Sequence, residues 1–257
     1  MHDASYPPDS PPDAHRWQLE PLGVIHSDYP DRFGVPRQPG LAPAARATLI
    51  LTPPYNDPLA VRGLSAFSHL WLTFIFHRTP AADGRFTPLV RPPRLGGNQK
   101  VGVFASRSPN RPNRLGLSLV TLEGIATEGG ARLELGGCDL VDGTPVVDIK
   151  PYLPWVEARP DATAGFAPAP PDALPVVFYP DACATLDRRR DGDSLKALIE
   201  QVLRQDPRPA YQRGRRAPER VYGVRLRDVD VSFKAQEQEG AATLMAVVAI
   251  RSAAAGS

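Results

Sequence analysis

VGVFASRSPNRPNRLGLSLVTLEGIATEGGARLELGGCDLVDGTPVVDIKPY, residues 101–152, decides the fold class. Its apolar runs Val101–Ser106, Leu117–Ile125 and Arg132–Leu135 are short, and Pro, Asn and Gly punctuate them. Asp142-Gly143 is a turn signal ahead of the apolar strand that carries Asp148. Many short strands at such spacing predict a barrel or sandwich. N-terminal to this stretch, FSHLWLTFIFH (Phe67–His77) is aromatic and β-branched, as a core strand requires, and Ala47–Leu51 is another strand. Gln18–His26 alternates weakly. Asp57-Pro58 supplies an N-cap and a first-turn proline for a short helix ending near Gly63.

The C-terminal part has a different pattern. Leu195, Leu198, Ile199, Val202 and Leu203 recur at helical spacing, predicting a helix over Ser194–Gln205 capped by Asp193. Two strands follow, with apolar residues at even numbers in Tyr222, Val224 and Leu226 but at odd numbers in Val229, Val231 and Phe233. That parity change predicts a bulge near Arg227-Asp228. Thr243–Ile250 is the return strand. The expected organisation is mainly β: a Pro-rich disordered tail over 1–16, a β-barrel over 17–160, an Ala/Pro-rich linker over 161–180 and a small α+β domain over 181–252.

Composition narrows the function classes. A chain of 257 residues buries a real core, and its net charge of +2 does not by itself announce a nucleic-acid partner. Two distant cysteines, Cys138 and Cys183, argue for a reducing, cytoplasmic setting and against a disulfide framework or a thiolate zinc site. No apolar run reaches the roughly 20 residues needed to span a bilayer, and no histidine spacing suggests a metal site.

Charge is concentrated locally. Between Asp83 and Glu123 there is no carboxylate, yet there are seven basic residues: Arg85, Arg91, Arg94, Lys100, Arg107, Arg111 and Arg114. RSPNRPNRLG cannot be a helix or central strand, because proline removes donors and fixes φ. It is read as a rigid loop whose Arg and Asn side chains suit phosphate, carboxylate or purine edges. The alternative is a solvated basic turn. Asp139, Asp142 and Asp148 then arrive close together. Asp142 belongs to the turn, while Asp148 needs a partner, expected to be an arginine of the basic loop. His69 is read as a core histidine, and His77, beside Arg78 at a strand end, as a site candidate.

Four ordered blocks carry a family resemblance: GVIHSDYPDRFGVPRQPGL, VRGLSAFSHLWLTFIFH, RPPRLGGNQKVGVFASRSPNRPNRLGLSLV and DLVDGTPVVDIKPY. Together they resemble the TsaA/TrmO family of S-adenosylmethionine-dependent tRNA methyltransferases, which methylate N6 of threonylcarbamoyladenosine beside the anticodon of threonine tRNA. The match covers residues 17–158 and extends more weakly into QDPRPAY and VYGVRLRDVDVSF. The resemblance implies a non-Rossmann methyltransferase barrel, a C-terminal domain that helps hold tRNA, and a homodimer. It also implies cofactor contacts at Pro36, Arg37, Gln38, His77, Arg78, Arg107, Leu117, Gly136, Gly137, Cys138 and Asp139. Asp139 is the candidate proton acceptor, with Asn110, Arg111 and Asn113 orienting the modified base. One departure stands out: the family pattern RPNPIG is RPNRLG here, with Arg114 in place of a proline. A non-catalytic RNA-binding barrel, or a methyltransferase of different substrate, are the alternatives.

Overall fold

A computed structural model describes residues 18–79, 86–209, 220–236 and 243–253. The tail and Arg85 lie outside them. Six strands close into a barrel in the order β1-β2-β7-β6-β3-β8. They are β1 (Gly23–Ser27), β2 (Arg46–Leu51), β3 (His69–Ile75), β6 (Leu115–Ala126), β7 (Arg132–Gly136) and β8 (Pro145–Pro151). The barrel forms because alternate residues on each strand are apolar. Leu70, Leu72 and Phe74 of β3 point inward, with Leu49, Leu133, Leu135 and Val146 from the other strands. A two-strand ribbon of β4 (Leu89–Val90) and β5 (Val101–Gly102) stands apart.

The second unit is a four-stranded sheet, β10-β11-β12-β9: β9 (Val176–Phe178), β10 (Val221–Leu226), β11 (Val229–Gln236) and β12 (Leu244–Ser252). Helices α2 (Pro180–Asp187) and α3 (Gly192–Leu203) contribute to its core through Ala182, Leu186, Leu195, Leu198 and Ile199. A one-turn helix, α1 (Pro154–Glu157), follows β8.

Several expectations change. Val101–Ser106 is strand only at Val101–Gly102, and a 3-10 turn takes Val103–Ala105. Residues 176–178, inside the expected linker, pair in parallel with β12 and belong to the second sheet. The parity change at Arg227-Asp228 marks a two-residue hairpin, not a bulge: Leu226 pairs with Val229 and Val224 with Val231, with Arg227 at φ 52°. A two-residue loop between antiparallel strands puts even residues opposite odd ones, and that shifts the phase. The bulge lies instead at Ser232/Phe233 against β12. Helix α3 is capped at Asp191, with Asp193 in its first turn.

The segment joining β1 to β2 packs the two units together. Tyr29, Ala42 and Ala45 are buried in the core of the second unit. Asp28 pairs with Arg227 (Nε–Oδ1 3.0 Å), and the Arg227 amide donates to the Asp28 carbonyl at 2.9 Å. Arg227 reaches Asp191 at 3.1 Å, and Arg189 links Asp191 to Asp228, both at 2.8 Å. The Gln201 side chain accepts from the Ala44 amide at 2.7 Å. At Gly34, φ is +93° and an added Cβ would come within 2.4 Å of Val224 Cγ2, so only glycine fits there.

Candidate active site

One seam of the closed barrel is paired along only part of its length. The β6–β7 ladder ends at Thr121 opposite Gly136, so Leu115–Val120 have β3 on one edge and, among the described residues, no strand on the other. Beyond β7, the chain bends at Gly137 (φ +63°) and runs through Cys138 and Asp139. Asp139 therefore lies across from Ser118, an inward-facing β6 residue paired with Leu72. The Ser118 hydroxyl donates to Asp139 Oδ1 at 2.5 Å. Burial pushes the Asp139 carboxyl up to about 6, opposed by the Ser118 hydrogen bond and the positive field of Arg107. Burial likewise raises the neighbouring Cys138 thiol far above its ordinary range, so it stays protonated.

The β1–β2 segment forms the wall beside this gap. The Gly40 amide donates to the Gly137 carbonyl at 2.9 Å and the Gly137 amide to the Ala45 carbonyl at 3.1 Å. The Gln38 amide group donates to the Arg37 carbonyl at 2.5 Å, and its oxygen accepts from Arg107. Pro36–Gln38, Arg107 and Gly136–Asp139 are thus brought together. His77 and Arg78 close the other end: Arg78 donates to the Pro30 carbonyl at 2.6 Å and to the Asp142 carbonyl at 3.3 Å. His77 lies beside Gly143, and its pKa is lowered by burial and then by Arg78, which favours the neutral ring. Ser27 connects this end to the aspartate segment, donating from its hydroxyl to the Leu140 carbonyl at 2.7 Å and from its amide to Asp142 Oδ1 at 3.0 Å.

Leu117 enters the site by its backbone. Its side chain is 58% exposed on the outer barrel face, opposite to Ser118. Successive residues direct their peptide groups to alternate strand edges. The Leu122 amide donates to Ser68 on the β3 side, and the Arg114 carbonyl accepts from Phe76 on the same side. Even-numbered peptides therefore face β3, and those of Leu117 and Leu119 face the open edge beside Asp139.

The other predicted substrate residues are not at Asp139. Asn110 and Asn113 are exposed on the proline loop, and among the described residues no hydrogen bond joins either to Asp139. Arg111 donates to the Ser106 carbonyl at 2.7 Å and stands over the Phe104 ring at 5.9 Å. Arg107 is the loop arginine whose charge acts on Asp139. Arg114 holds φ 51°, a conformation closed to proline, and donates to the Thr79 carbonyl at 3.4 Å. Asp148 pairs with Lys150, two residues along the same face, at 3.2 Å, not with the basic loop. His69 is only partly buried and hydrogen-bonds its neighbour Ser68 at 2.9 Å. Ser118 and Tyr29 were not singled out from the sequence. Ser118 had a signal, a hydroxyl in the inward phase of an apolar strand. Tyr29 had none; it is fully buried, with its hydroxyl unpaired.

Two other concavities are lined by different residues. One, of ≈ 260 Å³, is lined by Arg189, Arg190 and Lys196, and the other, of ≈ 280 Å³, by His26, Asp28 and Arg46. Neither presents the open peptide edge and the shifted carboxyl found at Asp139, so the gap is the candidate site.

Residues 24–158 match the family described as tRNA-methyltransferase O N-terminal domain, and residues 171–251 match its C-terminal domain. A tRNA (adenine(37)-N6)-methyltransferase of Escherichia coli is 50% identical, covering 85% of this chain and 93% of that protein. A Pseudomonas aeruginosa protein named as a candidate S-adenosylmethionine-dependent methyltransferase is also 50% identical, over 84% of this chain and 91% of its own length. The crystal structure of TrmO from Pseudomonas aeruginosa superposes with a TM-score of 0.74 at 38% identity, covering 92% of this chain and 99% of that one. Both halves of the sequence, and the barrel with its appended sheet, place this chain in the tRNA-methyltransferase O family.

Proposed function

We propose that this chain transfers a methyl group from S-adenosylmethionine to N6 of threonylcarbamoyladenosine beside the anticodon of threonine tRNA, and that it works as a homodimer. The observation that carries this reading is the convergence at the open β6 edge: the Asp139 carboxyl, held by Ser118, lies close to Arg107 and its partner Gln38, beside peptide groups that no described strand pairs. The names of the relatives from Escherichia coli and Pseudomonas aeruginosa support the class of reaction and the cofactor.

The site suits the cofactor chemically. The peptide groups of Leu117 and Leu119 match the donor and acceptor pattern of a purine edge. Arg107 complements a carboxylate, and Gly136, Gly137 and Cys138 let the backbone approach closely. Pro36–Gln38 form one wall, and His77 with Arg78 the other. The cofactor supplies an electrophilic methyl on a sulfonium. The substrate nitrogen is a poor nucleophile, because its lone pair is delocalised into both the purine and the carbamoyl group. Residues of the site must therefore hold it in line and take its proton. The N–CH₃ bond forms as the C–S bond breaks, and the N6 proton passes to the Asp139 carboxylate, which Ser118 holds through Oδ1. Asn110, Arg111 and Asn113 orient the base and its threonyl carboxylate as the proline loop meets the tRNA. In the C-terminal unit, Arg189 is bound to Asp191 and Asp228, which leaves Arg188, Arg190, Lys196 and Arg204 for phosphate contact.

The test is nucleoside mass after incubation with tRNA and cofactor. One added methyl on threonylcarbamoyladenosine, absent from tRNA lacking that modification, is expected. A chain that grips tRNA but gives no calorimetric heat with S-adenosylmethionine is an RNA-binding barrel, and the reading fails.

A further inference from the structure

The ribbon and proline loop carry an aromatic pair that the barrel core does not use. Phe104, in the 3-10 turn after β5, is 71% exposed, and Phe86 is 57% exposed. Their rings stack at 6.2 Å between centroids, 25° from parallel. Two phenylalanines stacked in the open lose hydration without gaining a core, so they act as a surface for something planar. The surroundings say what. No carboxylate occurs in the chain from Phe86 to Leu122, while Arg91, Arg94, Lys100, Arg107 and Arg111 do. The Arg111 guanidinium already stands over the Phe104 ring at 5.9 Å, with its NH1 on the Ser106 carbonyl. Aromatic faces interleaved with cations on a carboxylate-free surface fit an unpaired nucleotide: the ring takes the base and the arginines take the phosphates.

We propose that Phe104, backed by Phe86 and Arg111, is the stacking platform for a single-stranded RNA base adjacent to the nucleotide being methylated. This rests on the function proposed above and adds which residues hold the flanking base. The placement agrees with it. Phe104 is three residues from Arg107, whose charge acts on Asp139, a chain reach of about 10 Å at most. A base unstacked from its modified neighbour needs a new face, and Phe104, the more exposed ring of this pair, is the one close in sequence to Arg107.

The probe is a synthetic anticodon stem-loop of threonine tRNA with 2-aminopurine beside the modified adenosine, titrated by fluorescence against the full-length protein. Wild type is expected to quench the probe. Phe104→Ala is expected to raise Kd about 5- to 150-fold, the effect of losing one base stack of roughly 1–3 kcal/mol, and to abolish the quench. Phe104→Trp is expected to keep both. The slope of log Kd against log salt should stay the same in Phe104→Ala and shrink in Lys100→Ala, since only the latter removes a phosphate contact. S-adenosylmethionine affinity should not move in Phe104→Ala. Binding precedes turnover, so the platform is judged even if the methylation assay fails. Unchanged stem-loop Kd in Phe104→Ala overturns the proposal. So does a halved particle mass with unaltered RNA affinity, which would assign this face to a second copy of the chain.

Discussion

Asp139 combines two properties that conflict in an ordinary surface carboxylate. It is sequestered enough for its pKa to rise to about 6, yet it keeps a donor, Ser118, that favours the ionised form. The raised pKa has a defined sign in the linkage. The folded state binds this proton more tightly than the unfolded chain, so stability falls as pH climbs from near 4 to above 6. Asp139→Asn removes the ionisation. It is expected to raise stability at pH 8 by up to ~2 kcal/mol, read by urea denaturation, and to cut turnover about 10²-fold or more. In wild type, kcat/KM should fall with decreasing pH through an apparent pKa near 6, and the variant should lose that limb. Arg114 offers a second test. Its φ of 51° costs an L-residue about 1 kcal/mol. Arg114→Gly should be as stable as wild type or more so, while Arg114→Pro should lower the melting temperature because its ring cannot reach that φ. The sequence marks Arg114 as the departure from the family pattern but not its left-handed backbone. The Arg114 carbonyl accepts from the Phe76 amide across the loop at 2.8 Å, a contact that no local pattern encodes.

At the scale of elements, the site is a strand edge left open. The period-2 alternation of β3, β6 and β7 was legible because one face of each is buried. The opening was not, since it depends on where β7 stops pairing, and that is fixed by the left-handed turn at Gly137. Of Leu117, the peptide faces the open edge while the side chain faces outward, a split that the sequence does not signal. Similarly, Val101–Ser106 looks like a strand in composition, but its pairing partner is only two residues long. The hinge at Gly137 is testable. An added Cβ would come to 3.4 Å from the Gly40 Cα in a backbone of φ +63°. Gly137→Ala is expected to shift the Pro36–Gln38 wall and weaken S-adenosylmethionine binding by about tenfold in calorimetry, with the barrel still folded by circular dichroism.

Across the whole molecule, the barrel and the C-terminal sheet are joined by residues 28–45, which also line the site. Tyr29, Ala42 and Ala45 in the second core, and the Asp28–Arg227 pair with side chains 13% and 17% exposed, make the wall of the candidate site and the domain contact one segment. Sequence reading separated the two units because their periodicities differ. Their fusion lies in pairs 199 residues apart, which periodicity does not register. Arg227→Met leaves Asp28 partly buried without its cation and is expected to destabilise by about 3 kcal/mol. It should also weaken cofactor binding, since the 28–45 segment loses its anchor. The most direct measurement is a crystal structure with S-adenosylhomocysteine. The account predicts the purine against the Leu117 peptide and the sulfur within reach of Asp139, between β6 and residues 137–139. Ligand density anywhere else, with that gap closed by protein, would contradict it.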